Sequence, residues 1–267
     1  MKSVNKCIDF RYGKIMYNAL DQYVGKSLEL YGEYSESEAR IFEFFIQPGD
    51  TVVEVGANIG SHTVHLAQLA GDNGTVWAFE PQRLVFQLLA GNIAINGLTN
   101  VYCEQKCVSD RPETVLVPVQ DVGTEVNWGG LSLEHTQTGE PVPAITLDSL
   151  SLSRCDFLKI DVEGMELNVL KGAAQTIKKC RPIIYMEADR PEKKDALLAY
   201  TKTLGYRIYA HNAPLYNEDN YFHNPNNVFV ASIPVAEDTI AKVPMVSVNV
   251  ICVPLESPIQ INGAIEL

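Results

Sequence analysis

The chain has 267 residues, of which 46% are hydrophobic, and a formal net charge of −12 at pH 7. This length is enough for the core of one α/β domain with extensions, whereas the negative charge disfavours a nucleic-acid substrate, because phosphate backbones require a basic surface. No apolar run approaches the roughly 20 residues that cross a bilayer, and the N-terminus lacks the apolar stretch of a signal peptide. We therefore expect a cytoplasmic protein without a transmembrane segment.

The first 55 residues predict a lead-in segment, a helix and a strand. Residues 1–34 are rich in tyrosine and predict short strands or turns. Ser35 and Glu38 have the spacing of a capping box, and the apolar positions that follow at helical intervals predict a helix. A Pro-Gly-Asp sequence at 48–50 ends this helix, and the β-branched run at 51–55 predicts a buried strand.

Strands and helices then alternate as far as residue 108, after which the pattern changes. The predicted elements are a helix at 59–69, a strand at 75–79, a helix at 84–95 and a strand at 101–108. Residues 110–146 lack helical periodicity and predict a hairpin or a long loop.

The alternation resumes in the C-terminal half. The predicted elements are a strand at 157–160, a helix at 165–178, a strand at 182–186, a helix at 193–204, and two strands at 206–210 and 228–231 that pair as a terminal antiparallel hairpin. This order predicts a doubly wound α/β fold, in which a mostly parallel seven-stranded sheet carries helices on both faces.

Polar residues follow four of the predicted strands. In an open α/β sheet, ligands bind outside the carboxyl ends of the strands, at the point where the strand order reverses. The residues at these ends are the segment from Glu54 to Gly60, Glu80, Ser109 and Asp161. Glu80 is suited to accept hydrogen bonds from a ribose diol, and the glycines permit a tight turn beside a ligand.

A glycine turn followed about 20 residues later by an acid fits either a nicotinamide dinucleotide or S-adenosylmethionine as the cofactor. The turn reads Gly-x-x-x-Gly, however, and lacks the full Gly-x-Gly-x-x-Gly of dinucleotide sites. Glu54, two residues before the first glycine, would repel a pyrophosphate but attract an ammonium or a sulfonium. S-adenosylmethionine (SAM) carries both cations and no phosphate, so the residues favour SAM over a nicotinamide cofactor.

Several segments resemble the FkbM-type methyltransferases. They are Gly-Asp-Thr-Val-Val-Glu-Val-Gly-Ala-Asn-Ile-Gly at 49–60, Phe-Glu-Pro at 79–81, Thr-Leu-Asp-Ser-Leu at 146–150, Asp-Phe-Leu-Lys-Ile-Asp-Val-Glu-Gly-Met-Glu at 156–166, Val-Leu-Lys-Gly-Ala at 169–173, and Pro-Ile-Ile-Tyr-Met-Glu at 182–187. The Lys-Ile-Asp-Val-Glu-Gly block is far more specific than the glycine turn. The resemblance covers roughly residues 28–232 and implies the Rossmann-like class I fold, SAM as cofactor, and O-methylation of a sugar, glycan or other small metabolite.

The resemblance also implies a set of cofactor-binding residues. They are Glu54, Gly56, Ala57, Asn58, Gly60, Ser61, Glu80, Pro81, Val108, Ser109 and Asp161. The turn at 56–60 would hold the methionine part, Glu54 the cationic end, Glu80 the ribose, and Val108 with Ser109 the adenine edge. Glu54 is a departure, because the first strand of this fold more commonly ends in Asp.

Asp161 and Glu187 are the candidate catalytic residues, because both follow strands that we expect to be neighbours. They would act as the base and orienting acid for an alcohol acceptor, or as ligands of a divalent cation such as Mg²⁺. No metal-ligand set is assigned, since no fuller group of ligands is visible. Structural roles are also open: Asp161, Glu163 or Glu166 could serve the start of the next helix, and Glu187 could be purely structural.

The predicted domains are a lead-in segment at 1–34, a methyltransferase domain at 35–232 and a C-terminal extension at 233–267. Alternation at 246–250 in the extension predicts an added strand or a dimer element. The expected partner is a small-molecule or glycan substrate, and a homo-oligomer is left open. The alternatives are a non-catalytic interaction module that kept the fold, or another SAM-fold transferase such as an aminopropyltransferase.

Overall fold

The computed structural model describes residues 4–121, 123–133, 136–236 and 239–267. Its strands are β1 Asn5–Phe10, β2 Gly13–Asn18, β3 Thr51–Val55, β4 Thr75–Phe79, β5 Val101–Glu104, β6 Cys107–Val108, β7 Glu113–Val117, β8 Glu140–Ile145, β9 Phe157–Ile160, β10 Ile183–Glu187, β11 Tyr206–Pro214, β12 Val230–Ala236, β13 Thr239–Pro244 and β14 Val246–Pro254. Its helices are α1 Val24–Tyr31, α2 Glu36–Phe45, α3 Ser61–Ala70, α4 Arg83–Ile95, α5 Glu166–Gly172, α6 Ala174–Cys180 and α7 Pro191–Thr203. None of the described helices is long and apolar enough to span a bilayer.

Seven strands form the main sheet, in the order β11-β14-β10-β9-β3-β4-β5. The five strands from β10 to β5 pair in parallel, and β14 runs antiparallel to both of its neighbours. The chain proceeds outward from β3 to β5 in one direction and from β9 to β10 in the other. The switch point of the fold therefore lies between β3 and β9, where a ligand site is expected. The predicted fold class is confirmed.

Both faces of the sheet are covered, which explains the continuous apolar runs in the central strands. In β3, Val53 packs in a core cluster with residues of α5, α6 and α7. Its neighbour Val52 points to the opposite face, into a cluster with residues of α2 and α3. The helix predicted after Ser35 is present as α2, but the predicted capping box is wrong: the Ser35 hydroxyl donates to the Glu38 carboxylate over 2.8 Å, and the Ser35 side chain makes no cap hydrogen bond to the helix.

The predicted terminal hairpin is right in its first strand and wrong in its second. β11 pairs along its whole length with β14, from Tyr206 opposite Pro254 to Pro214 opposite Val246. Residues 228–231 instead lead into β12, which pairs with β13 in a separate two-stranded sheet. The alternating stretch at 246–250 is thus an internal strand of the main sheet. The next strand in the sequence is the usual pairing partner of β11. Here the β12–β13 pair lies between β11 and its partner β14 along the chain.

Two other predicted elements are each divided in two. The strand expected at 101–108 is β5 followed by β6, and β6 leaves the main sheet to pair with β8. The helix expected at 165–178 is α5 followed by α6, with a break at Ala173. A Cβ at Gly172 would lie 2.0 Å from the Ser109 carbonyl oxygen, so the glycine is required where α5 crosses β6.

The lead-in segment forms the β1–β2 hairpin and a helix, α1, that the sequence did not predict. This segment is tied to the domain because the side chain of Asn92 in α4 accepts from the backbone amide of Met16 and donates to its carbonyl. In the region 110–146, β7 and β8 are antiparallel and joined by a long connection, so the hairpin and the long loop are both present among its described residues.

Candidate functional site

Two cavities lie at the carboxyl edge of the sheet, at the switch point. The larger has a volume of about 380 Å³ and a largely polar lining, and the smaller has a volume of about 50 Å³. Six residues line both of them: Gly56, Glu80, Gln82, Gly129, Asp161 and Glu163. The two cavities therefore adjoin, and together they offer an elongated ligand one polar and one apolar compartment.

The turn after β3 forms part of the wall of the larger cavity. Gly56 has a φ of 84°, and a Cβ there would lie 1.7 Å from the carbonyl oxygen of Asp161. Asn58 has a φ of 50°, a conformation that few residues other than glycine adopt. Ala57, Asn58 and Ser61 line the cavity as expected. Gly60 lies outside the cavity lining and instead lets α3 pack on α4, because a Cβ there would lie 2.8 Å from Leu89.

Glu54 and Lys159 form a buried ion pair beneath this turn. Glu54 is 1% exposed and accepts a hydrogen bond of 2.6 Å from the Thr63 hydroxyl. The Lys159 ammonium, also buried, lies 3.6 Å from a Glu54 oxygen and 3.3 Å from an Asp161 oxygen. Burial raises the pKa of Glu54, against the effect of Lys159. Lys159 therefore stabilises two of the predicted site carboxylates, and the sequence analysis did not identify it.

Glu80 lies at the junction of the two cavities. Its side chain is buried, and its oxygens accept hydrogen bonds from the backbone amides of Gln82, over 2.8 Å, and of Asn58, over 3.1 Å. Burial raises its pKa to about 7, while the amide donors act in the opposite direction. These bonds fix the carboxylate between the polar and the apolar compartments.

The smaller cavity has mainly apolar side chains in its wall. They belong to Val55, Phe79, Pro81, Cys107, Val108, Leu131, Leu133, Val162 and Met165. Pro81 and Val108 lie where the sequence placed them. Ser109 does not line either cavity: it is 1% exposed, and its amide donates to Ile145. The hydroxyl of Ser109 is thus buried under the crossing of β6 and α5, because β6 turns away from the main sheet.

A loop at 126–133 covers both cavities. Asn127, Gly129 and Gly130 line the larger cavity. Trp128 points away from it into an apolar cluster with the lead-in segment and α4, and is 4% exposed. Its carbonyl accepts from the Gln82 side chain over 2.9 Å. Trp128 is therefore the anchor of the loop, and its neighbours supply the lining.

Three carboxylates meet in the wall of the larger cavity. One oxygen from each of Asp161, Glu163 and Glu187 lies within 4.8 Å of the others. Burial, and next the charge of Asp161, raise the pKa of Glu163 to about 7 and also raise the pKa of Glu187. One Glu187 oxygen is buried and has no hydrogen-bond partner in the part of the chain that the structure describes. Burial and the charge of Asp161 therefore favour the protonated form of Glu187.

The structure shows which of Asp161, Glu163 and Glu166 serves the start of the helix that follows. Glu166 accepts from the amides of Val162 and Gly164 and thus serves the start of α5, as the structural alternative held. Asp161 makes no such cap and instead bonds to Lys159. Glu163, with a φ of 55°, lines the cavity and pairs with Arg190. A non-glycine residue with positive φ at a ligand-sized cavity is typical of functional turns.

Several polar residues that sequence reasoning missed line the larger cavity, among them Glu38, Gln82, Lys159, Asp189, Arg190 and Ser247. Glu38 had been assigned only to its capping box, yet it is 4% exposed and burial raises its pKa to about 7. Lys159 was the one detectable case, because a lysine inside a buried parallel strand requires a charged partner. Ser247 could not be predicted as a site residue, because the sequence does not show where β14 lies in the sheet.

The sheet order and the position of the cavities are those expected for a Rossmann-like methyltransferase. Residues 54–208, more than half of the chain, match the methyltransferase FkbM domain. The chain belongs to the FkbM methyltransferase family.

Individual relatives are more distant. The hexuronic acid methyltransferase AglP of Haloferax volcanii is 26% identical over 151 residues, which cover 51% of this chain and 54% of that protein. The chain thus spans about half the length of this curated relative. A solved FkbM methyltransferase from Methylobacillus flagellatus KT is 16% identical, with a TM-score of 0.48 over 86% of this chain and 55% of that chain. A SAM-dependent O-methyltransferase from Thermotoga maritima is 13% identical, with a TM-score of 0.45 over 97% of this chain and 81% of that chain.

Proposed function

We propose that this methyltransferase uses SAM to O-methylate a hydroxyl of a sugar, a glycan or another small metabolite. The position of Glu80 carries the proposal. A buried carboxylate with fixed orientation separates a polar cavity from an apolar one. SAM has the same sequence of chemical parts, with a charged methionine at one end, a ribose diol in the middle and a flat apolar base at the other end.

Each part of SAM has a chemically suited set of residues. The wall formed by Ala57, Asn58 and Ser61 would hold the methionine part, with the charge of Glu54 close behind it. Glu80 would accept hydrogen bonds from the ribose diol. The apolar side chains of the smaller cavity, among them Pro81 and Val108, would enclose the adenine. The residues present fit SAM, apart from Ser109, which is turned away.

Bound SAM supplies an electrophilic methyl group on a sulfonium. The protein must then align an acceptor hydroxyl, remove its proton and exclude water. Asp161 lies at the carboxyl end of β9 and faces the cavity, so it is the candidate base. Protonated Glu187 would donate a hydrogen bond that orients the same hydroxyl. Tyr34 and residues of the loop at 126–133 also line the cavity, where they would help to exclude water.

A sugar acceptor is supported by the relative that methylates hexuronic acid. The competing proposal is an interaction module that has lost catalysis. Retention of buried charge at Glu54, Glu80 and Lys159 argues against it, because buried carboxylates without a ligand to bind reduce stability.

The first experiment is calorimetric titration with SAM and S-adenosylhomocysteine. We expect both to bind the wild-type protein, and Glu80→Gln to weaken both by about 10–100-fold, since a charge-assisted hydrogen bond contributes about 1.5–3 kcal/mol. Glu113→Gln is the matched control, because Glu113 is exposed on β7 outside both cavities. Absence of binding to folded wild-type protein would refute the proposal.

Mg²⁺ dependence is tested in the acceptor assays that follow. The spacing of Asp161, Glu163 and Glu187 would admit a divalent cation, although Lys159 and Arg190 already neutralise two of these acids. Turnover measured with added Mg²⁺ and with a chelator shows whether these acids bind a cation or act as an acid–base pair. Equal rates would leave Asp161 and Glu187 as the acid–base pair.

A further inference from the structure

The wall of the larger cavity is strongly acidic. Its described lining residues include seven carboxylates, those of Glu38, Glu54, Glu80, Asp161, Glu163, Glu187 and Asp189, and two permanent cations, Lys159 and Arg190. One face of this wall belongs to the turn after β3 and to Glu80, where SAM is proposed to bind. Glu163, Glu187, Asp189 and Arg190 line the rest of this cavity, where an acceptor would lie, and Glu163 also borders the smaller cavity.

Both cations already have acidic partners. Lys159 is 2% exposed and is shared between Glu54 and Asp161. Arg190 is bonded to Glu163 through one guanidinium nitrogen, while its Nε lies 3.4 Å from Asp189. An acceptor carboxylate would therefore enter a cavity in which acids outnumber the permanent cations and both cations already have acidic partners, so its charge would not be compensated.

Acceptors that donate hydrogen bonds are favoured in this cavity. The oxygens of Asp161, Glu163 and Glu187 converge, and one Glu187 oxygen is buried without a partner among the described residues. Neighbouring hydroxyls of a sugar donate to such oxygens directly. An ammonium group also relieves the repulsion between the carboxylates.

We propose that the acceptor is a neutral or aminated hexose and not a hexuronic acid, and that the Glu163–Arg190 pair sets this preference. The inference rests on the proposed function and separates this chain from its relative in Haloferax volcanii, which is named for a hexuronic acid substrate. Glu163 acts on specificity by holding the Arg190 guanidinium away from a substrate carboxylate.

The test uses three matched forms of the methyl glycosides of glucose, galactose and mannose: the neutral sugar, the 2-amino sugar and the uronic acid. Binding to the protein saturated with S-adenosylhomocysteine is measured by calorimetry, and turnover with SAM is measured by release of S-adenosylhomocysteine. We expect the neutral and amino forms of at least one sugar to exceed its uronate by about tenfold or more in both measurements, because like charges brought together lose several kcal/mol.

Glu163→Gln sharpens the test. The substitution keeps the shape of the side chain but releases Arg190, so the ratio of uronate to neutral binding should rise by about tenfold. The double variant Glu163→Gln with Arg190→Gln should lose this gain. Glu192→Gln is the matched control, because it removes one exposed carboxylate from α7 outside the cavity and should leave the ratio unchanged.

The outcomes separate the two proposals. Failure to bind S-adenosylhomocysteine refutes the proposed function itself. If that ligand binds, then a uronate that binds as well as the neutral sugar refutes the charge preference alone. Binding of no glycoside in any form also overturns the inference, since the cavity would then not accept a hexose. An unchanged ratio in Glu163→Gln removes the Glu163–Arg190 pair as its cause.

Discussion

At the scale of single residues, Glu187 shows how the site reduces the stability of the fold. Burial and the neighbouring Asp161 raise its pKa above the value of 4.5 that it has in an unfolded chain. As pH rises past 4.5, the unfolded chain releases a proton that the folded protein keeps. The free energy of unfolding therefore falls throughout this window, up to the raised pKa.

Glu187→Gln should remove this pH dependence, because glutamine does not titrate. We expect its Tm to exceed that of the wild type by more at pH 8 than at pH 5, with about 2–4 °C for each kcal/mol. Turnover should fall by about tenfold or less, because the glutamine amide can still donate a hydrogen bond to the acceptor hydroxyl. Calorimetric melting at both pH values checks the first effect, with Glu113→Gln as the control. An equal difference in Tm at the two pH values would contradict the assignment.

Residues at strand ends could be predicted from the sequence, whereas residues brought in by tertiary packing could not. Glu54, Glu80 and Asp161 each follow or end a recognisable apolar strand, and strand ends converge at one edge of a parallel sheet. Glu38 and Arg190 reach the same cavity only because α2 and the start of α7 lie over that edge. No local pattern encodes that placement.

At the scale of elements, the loop at 126–133 is held to the lead-in segment by backbone hydrogen bonds of Val126 with Leu20 and Gln22 and by the side chain of Trp128. Trp128 is buried against the lead-in segment, and its indole nitrogen has no hydrogen-bond partner among the described residues. The contribution of Trp128 is therefore packing, which phenylalanine largely reproduces, while alanine leaves a cavity.

We accordingly expect Trp128→Phe to bind S-adenosylhomocysteine nearly as the wild type does, and Trp128→Ala to bind about tenfold or more weakly because the loop is no longer held over the site. Titration calorimetry measures the affinities, and limited proteolysis reports whether cleavage begins within 126–133. Similar affinities for both variants would show that the loop does not depend on this anchor.

The order of elements was also easier to predict than their pairing. Strand and helix patterns placed β3, β4, β9 and β10 correctly, because apolar periodicity is a local property. The partner of β11 was predicted wrongly, since the local signal at 228–231 resembles a strand and nothing local indicates that the chain returns at 246. The position of Ser109 could not be predicted for the same reason, because it depends on β6 leaving the main sheet to pair with β8.

At the scale of the whole molecule, the proposed boundary at residue 232 can be tested against the sheet. β14 lies between β10 and β11, and its residues Val250, Cys252 and Val253 are fully buried. Removal of residues 233–267 would leave both neighbouring strands with unpaired backbone groups and an apolar gap. The chain after residue 232 therefore supplies an internal strand of the main sheet, and we propose that the domain extends through β14.

We expect the chain truncated after residue 232 to lose its cooperative thermal transition. The matched control shortens the β12–β13 excursion by replacing residues 232–242 with Asn-Gly, a turn suited to the facing pair Ala231 and Val243. This variant keeps β14 and should retain a single transition and the affinity for S-adenosylhomocysteine. Calorimetric melting of both proteins tests the boundary. A cooperative transition in the truncated chain would support a domain that ends at residue 232. Loss of the transition in the truncated chain alone would support a domain that extends through β14.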